Sequence, residues 1–205
     1  MGLQGRCGLV AWMAAAAVLA QAGAAPARAP RLGAGKILVA ARNLPDPNFA
    51  QTVILLVQHD RTSAMGLALN RQTKIRVSHL LPEFEKAKGR PETVYAGGPV
   101  GRTGVLALLR APEKPADARH VFADVYMVSS KALLEKTIAA GAGADTLRLY
   151  LGYCGWSAGQ LESEVEAGVW EILPGDAAWV FDRDPASLWL RLIERTELRI
   201  AWRGR

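Results

Sequence analysis

The chain has 205 residues, half of them apolar and 21% charged, with 25 Lys and Arg against 19 Asp and Glu. That size and apolar fraction support one well-buried core and exclude an intrinsically disordered chain. The formal net charge of +6 would suit an anionic partner, but Glu194 and Glu197 interrupt the C-terminal series Arg191, Arg195, Arg199, Arg203 and Arg205 without aromatic interleaving, which fits a solvated face better than a nucleic-acid patch.

The first segment reads as a targeting signal: Arg6 as the positive region, an apolar run from Cys7 to Ala20, and small residues at Ala22-Gly23-Ala24 that predict cleavage before Ala25. The run spans 14 residues, short of the ~20 needed by a spanning helix, so removal is expected rather than a permanent membrane anchor. This divides the chain into a signal peptide at 1–24, a disordered Pro/Ala/Arg leader at 25–35 and one domain at 36–205. The expected location is periplasmic; a mis-assigned start codon would make it cytoplasmic. Cleavage removes Cys7 and leaves Cys154 as the sole thiol of the mature chain, which excludes an internal disulfide and a multi-cysteine zinc site. His59, His79 and His120 show no paired ligand spacing. No metal and no cofactor are expected.

Short β-rich runs follow at Lys36–Ala41, Thr52–Gln58, Met65–Asn70, Thr93–Ala96, Val105–Leu109, Val121–Val128 and Leu147–Cys154, with further candidates at Val169–Leu173, Ala178–Phe181 and Glu197–Trp202. Three helices interrupt them. Ser129 or Ser130 caps the first, which presents Leu133, Leu134 and Ile138 and stops at Gly141. Ser157 caps the second, with Leu161 and Val165 facing inward and Glu162, Glu164 and Glu166 in solvent. Asp184-Pro185 opens the third, whose buried stripe is Leu188, Trp189, Leu192 and Ile193. A shorter helix around Ser78–Lys86 is complicated by Pro82. Without regular βαβ alternation or an internal repeat, the class is α+β.

The segment joining the strand that ends at Cys154 to the second helix carries the richest chemistry. Gly155-Trp156-Ser157-Ala158-Gly159 spells the G-x-S-x-G pattern of a hydrolase nucleophile elbow. All three histidines precede Ser157, against the usual Ser-Asp-His order. Ser157 and Gln160 also have capping-box spacing, which explains the serine without catalysis. Cys154, at the end of a buried strand with no nearby cation, reads as a packing residue. His59-Asp60 sits at a strand end, where neighbouring side chains point to opposite faces and do not cooperate as an acid/base pair. Gly97 to Gly104 with Arg102 offers backbone N–H groups to an anion but lacks the Lys-Ser/Thr ending of a P-loop.

Five ordered segments closely resemble the YqgE/AlgH family: Asn43-Leu44-Pro45-Asp46-Pro47-Asn48-Phe49; His59-Asp60; Ala64-Met65-Gly66-Leu67 with Asn70-Arg71; Gly97-Gly98-Pro99-Val100; and Gly152-Tyr153 through Gln160-Leu161-Glu162. The resemblance implies a single α+β domain with a bifurcated, partly barrel-like mixed sheet flanked by three to four helices. It brings no established catalytic residues, and one branch of the family is associated with regulating alginate synthesis. Arg42 replaces a usual proline, Cys154 a small residue and Ser157 often a glycine, so the thiol and hydroxyl are dispensable in the family. The export signal is the largest departure and conflicts with a shared transcriptional role.

The leading expectation is a non-catalytic binding or regulatory protein that recognises a small molecule, peptide or protein. Its candidate ligand-binding residues are Gly97, Gly98, Tyr153, Trp156 and Gln160, with no catalytic residues assigned. One alternative is a hydrolase or thiol enzyme using Ser157 or Cys154. The other is a cytoplasmic transcriptional regulator. Nucleic acid is not an expected partner of an exported protein.

Overall fold

The structure is a computed structural model and describes residues 31–203, with side chains up to Leu198. The expected signal peptide and most of the leader lie outside these residues. Ten strands form one sheet: β1 Lys36–Ala40, β2 Val53–His59, β3 Ser63–Ala68, β4 Gln72–Arg76, β5 Thr93–Ala96, β6 Val100–Arg110, β7 Ala118–Phe122, β8 Val125–Val128, β9 Leu147–Ser157 and β10 Trp170–Pro174. Five helices accompany them, α1 Val77–Leu80, α2 Lys131–Ala139, α3 Gln160–Glu166, α4 Ala177–Val180 and α5 Leu188–Arg203.

The main path runs β10-β1-β2-β3-β9-β6-β8-β7, and β5 leaves it with β4 as its outer partner. Every pairing is antiparallel except β5 with β9, where Tyr95 faces Tyr150 and Ala96 faces Leu151. Strand β9 is therefore the fork. Its first half lies between β5 and β6, and its second half, Cys154 to Ser157, pairs with β3. Three glycines make the fork possible. A Cβ on Gly97 would stand 2.3 Å from the Gly152 carbonyl oxygen, and one on Gly98 would stand 2.1 Å from the Tyr153 carbonyl carbon. Gly152 is left-handed at φ 69° and equally crowded by the Gly98 and Val100 carbonyls. Only residues without a side chain let the β5–β6 connection cross β9 so closely.

The sheet curls until its distant ends approach. Phe122 of β7 packs against Gly35 before β1 and Gly175 after β10, and Arg119 of β7 donates to Gln58 of β2 at 2.5 Å. The result is the expected single α+β domain with a bifurcated, partly barrel-like mixed sheet. Alternate residues of β9 serve two cores. Tyr150, Cys154 and Trp156 join the larger one with β1–β3 and α5, while Leu147 and Leu149 join a smaller one with α2 and the 77–87 segment. Both faces of β9 are thus buried, which explains its nearly continuous apolar sequence.

Several expectations change. Ala178–Phe181 is not a strand: Asp176 accepts from the Ala178 N–H and caps α4. Glu197–Trp202 is not a strand either but continues α5, whose stripe Leu188, Trp189, Leu192 and Ile193 is buried as expected. Val121–Val128 is two strands folded at Ala123-Asp124, where Ala123 is left-handed. Pro82 divides the fourth helix into α1 and a 3-10 turn at Glu85–Ala87. Ser130 caps α2 by accepting from Leu133 N–H at 3.3 Å. Ser157 does not cap α3, because β9 extends through it and the N-cap is left-handed Gly159.

Candidate functional site

Near the Gly/Trp turn, side chains at one end of β9 are committed to the fold. Trp156 is 6% exposed and meets Trp170 edge-on with ring centroids 6.4 Å apart. Both indoles donate to one oxygen of Glu164 on α3, Trp156 at 2.9 Å and Trp170 at 2.8 Å. The second Glu164 oxygen accepts from Gln160 Nε2 at 2.9 Å. Glu164 was expected in solvent. It instead faces inward and satisfies two aromatic N–H groups that burial would otherwise strand. The signal was available as an acidic residue set between two tryptophans, Trp156 and Trp170.

Gln160 completes this arrangement from the other side. Its Oε1 accepts from both the Ser157 N–H and the Ser157 hydroxyl at 3.2 Å, so the glutamine half of the anticipated capping box forms although Ser157 is not the cap. The half-buried Tyr153 ring lies along the backbone between Gly101 and Gly155, within 3.3 Å of where their β-carbons would stand. Gly97 and Gly98 form the fork crossing described above. The structure therefore brings all five candidate binding residues to one stretch of β9 and engages each in packing or hydrogen bonds within the domain. At 6% exposure the Trp156 ring itself offers little surface to a ligand.

Of the residues of the hydrolase alternative, Ser157 engages Gln160 through its hydroxyl. Trp156 lies in a row with Ala64 and His59 across β9, β3 and β2, so the next residue, Ser157, starts on the opposite face. His59 Nε2 meets Glu162 Oε1 at 2.8 Å, and His120 Nε2 meets the Ala123 carbonyl at 3.0 Å. Asp60 closes a turn by accepting from Thr62 and Ser63, and these bonds with that from Gln58 hold its carboxyl well below the usual range. Cys154 is buried and its Sγ donates to the Gly97 carbonyl at 3.3 Å, a packing position at the fork. Among the described residues, no group of three or more His, Cys, Asp or Glu could hold a metal ion.

The motif around Asp46-Pro47 is likewise structural. Asn48 N–H donates to Asp46 Oδ1 at 2.8 Å, forming the turn that enters β2. Asn70 accepts from Val53 N–H and donates to the carbonyl of left-handed Gln51. Arg71 clamps the same loop through the Ala50 carbonyl at 2.6 Å and the Thr52 hydroxyl at 2.8 Å.

These fork and clamp residues are the segments that carry the family resemblance, and comparison with known proteins gives the same answer. The AlgH-like family model, DUF179, matches residues 37–201. The chain belongs to the AlgH-like family. A UPF0301 protein of Mycobacterium tuberculosis is 37% identical over 182 residues, covering 86% of this chain and 88% of its own. The Mycobacterium leprae relative is 36% identical with the same coverage. Among solved structures, the AlgH protein of Pseudomonas aeruginosa superposes with a TM-score of 0.64 at 30% identity, over 84% of this chain and 90% of that one. A Corynebacterium diphtheriae protein gives 0.70 at 25% identity, over 82% and 88%.

Elsewhere in this AlgH-like fold, a cleft of about 580 Å³ opens between the length of α2 with the turn after it and the β6–β7 connection. Leu109, Ala132 and Leu133 supply apolar wall, and Asp117, Lys136 and Thr137 supply polar groups. The α2 helix ends at left-handed Gly141, and the small residues Ala140, Ala142 and Gly143 keep the adjoining wall shallow. Asp117 is itself left-handed at φ 62°, a conformation uncommon for a residue with a side chain. The sequence pattern marks Leu109 as the end of a strand, Leu133 as an apolar residue of this helix and Gly141 as its stop, but not the space between them.

Proposed function

We propose that the protein is a non-catalytic binding protein whose ligand is a small, largely apolar molecule held in the α2 cleft. The cleft carries this reading: its volume of about 580 Å³ falls within the size range of small-molecule sites, and its lining combines apolar wall with a few polar groups. The engagement of Ser157 with Gln160, of His59 with Glu162 and of His120 with the Ala123 carbonyl supports binding rather than acyl chemistry. A regulatory role follows if occupancy changes the α2 end, which Arg90 ties to the neighbouring segment by donating to the Ala142 carbonyl at 2.5 Å.

Export is part of the proposal and rests on the N-terminal sequence pattern. Among the described residues no helix is long and apolar enough to cross a membrane. Intact mass of the protein from its native host tests export: loss of residues 1–24 supports it, and a full-length cytoplasmic species overturns it. For the cleft, ligand-observed NMR against neutral heteroaromatic fragments should find binders that Ala132→Trp displaces while the fold is retained. Fragments that bind equally well to Ala132→Trp would overturn the cleft assignment.

A further inference from the structure

Arg148, the second residue of β9, is an unusual residue for a buried strand. It is 5% exposed, on the face that carries Tyr150 into the larger core. One guanidinium nitrogen, Nη2, donates to the Asp182 carbonyl. Nε and Nη1 are buried without a hydrogen-bond partner among the described residues, and so is the hydroxyl of the fully buried Tyr150. The guanidinium stacks 5.0 Å from the centre of the Tyr95 ring, which lies 5.5 Å from the Tyr150 ring.

Among the described residues no carboxylate forms an ion pair with this guanidinium, although, after the hydrogen bond from Arg183, its charge contributes to holding the Asp145 carboxyl below its ordinary value. Asp182 directs its own carboxylate to Arg191 at 2.7 Å and to the Asp184 N–H at 2.8 Å. Asp145 is engaged with Arg183 at 2.9 Å. A guanidinium withdrawn from water costs several kcal/mol unless an anion and further hydrogen bonds compensate it, and a π face and one carbonyl compensate only in part. Three orphaned donors on two neighbouring side chains therefore describe a site built for acceptor oxygens. A planar fork beside a phenol matches the geometry of a carboxylate or phosphate group.

The cover of this site is the α4–α5 connection, residues 181–187. Its Asp182 carbonyl lies over the guanidinium, and its outer fastenings are the Arg183–Asp145 and Arg191–Asp182 ion pairs. In the first of these both side chains are well exposed, and such pairs hold a segment only weakly. Phe181 is anchored in the larger core and Pro185 is buried, so any opening is confined to residues 182–184 between these two anchors.

We propose that Arg148 and Tyr150 form an internal oxyanion site, closed by the α4–α5 connection, that takes the carboxylate or phosphate group of a small ligand. It is separate from the α2 cleft, since none of its residues line that cleft.

Thermal denaturation of the full-length protein in potassium phosphate, potassium acetate and potassium chloride, matched for ionic strength, tests the site. Phosphate or acetate should raise the midpoint by about 3 °C or more over chloride when well above its dissociation constant. Whichever gives the larger increment identifies the group. Arg148→Met should abolish the increment. Should that variant fail to fold, Tyr150→Phe, which removes one donor and keeps the ring, should still halve the increment or more. Arg183→Gln, at the exposed latch, should retain it. No increment over chloride in the wild type, or an undiminished one in Tyr150→Phe, would overturn the proposal. So would a crystal structure grown in phosphate with only water on Nε and Nη1.

Discussion

The Gly/Trp end of β9 and the cleft along α2 use opposite materials. The first is built from aromatic and hydrogen-bonding side chains that satisfy one another: two indoles on Glu164, an amide on the same carboxylate, and a serine on that amide. The second is built from alanine, glycine and threonine around a cleft, with a lysine and an aspartate among its lining. Polar groups already paired within the fold have little left for a ligand, whereas small residues leave volume that a ligand can fill. Chemical richness along the chain is therefore a poor guide to where this domain is open.

The sharpest way to break this comparison is to delete Trp156. If the turn is core, Trp156→Ala should lose about 3–5 kcal/mol in urea denaturation. A variant of undiminished stability that has lost a binding activity would reinstate the turn as a site. Next in size, Gly98→Ala places a methyl within 2.1 Å of the Tyr153 backbone and should cost about 3 kcal/mol by forcing the fork apart. Gly143→Ala, at the cleft, meets nothing within 4 Å and should stay within about 0.5 kcal/mol of wild type. Glu164→Ala follows at about 2 kcal/mol, because it strands two indole N–H groups at once.

These expectations show which parts of the molecule its residues announce. Thr93–Ala96, a serine cap at 129 or 130 and the α5 stripe were legible because each depends on near neighbours: a β-branched run, a hydroxyl three residues before an N–H, and apolar spacing at helical period. Ala178–Phe181 misled because a four-residue apolar run carries no period, and its Asp176 cap decides the matter from outside the run. The exposed β4 gives no alternation to detect. Ser157 was misplaced because β9 continues three residues beyond Cys154 to pair with β3, whose partners Ser63 to Gly66 lie far back along the chain. The α2 cleft was invisible because it is defined by what small residues do not fill. Arg148 did leave a trace, as a lone charge inside the apolar run Leu147–Leu151.

Two smaller effects refine the account. Burial pushes the phenols of Tyr95 and Tyr150 above their ordinary value. Groups whose folded value is raised stabilise the fold fully below the unfolded value of about 10 and lose that contribution as pH climbs through the folded value. Stability should consequently fall from about pH 10 upward, and Tyr150→Phe should flatten that alkaline limb in pH-dependent denaturation. Smallest of all, Ser157→Ala should change stability by no more than about 0.5 kcal/mol, since the serine is exposed at a strand end, while Ser130→Ala should cost about 1 kcal/mol as a true cap. Equal losses in the two variants would show that Ser157 contributes to the start of α3 after all.

Amide chemical-shift mapping with the strongest neutral fragment decides between the two regions most directly. The account predicts perturbations concentrated at Leu133, Thr137, Gly141 and Gly143, with Tyr153, Trp156 and Gln160 unmoved. Perturbations centred on Gly97, Gly98 and Tyr153 through Gln160, with the end of α2 silent, would contradict it.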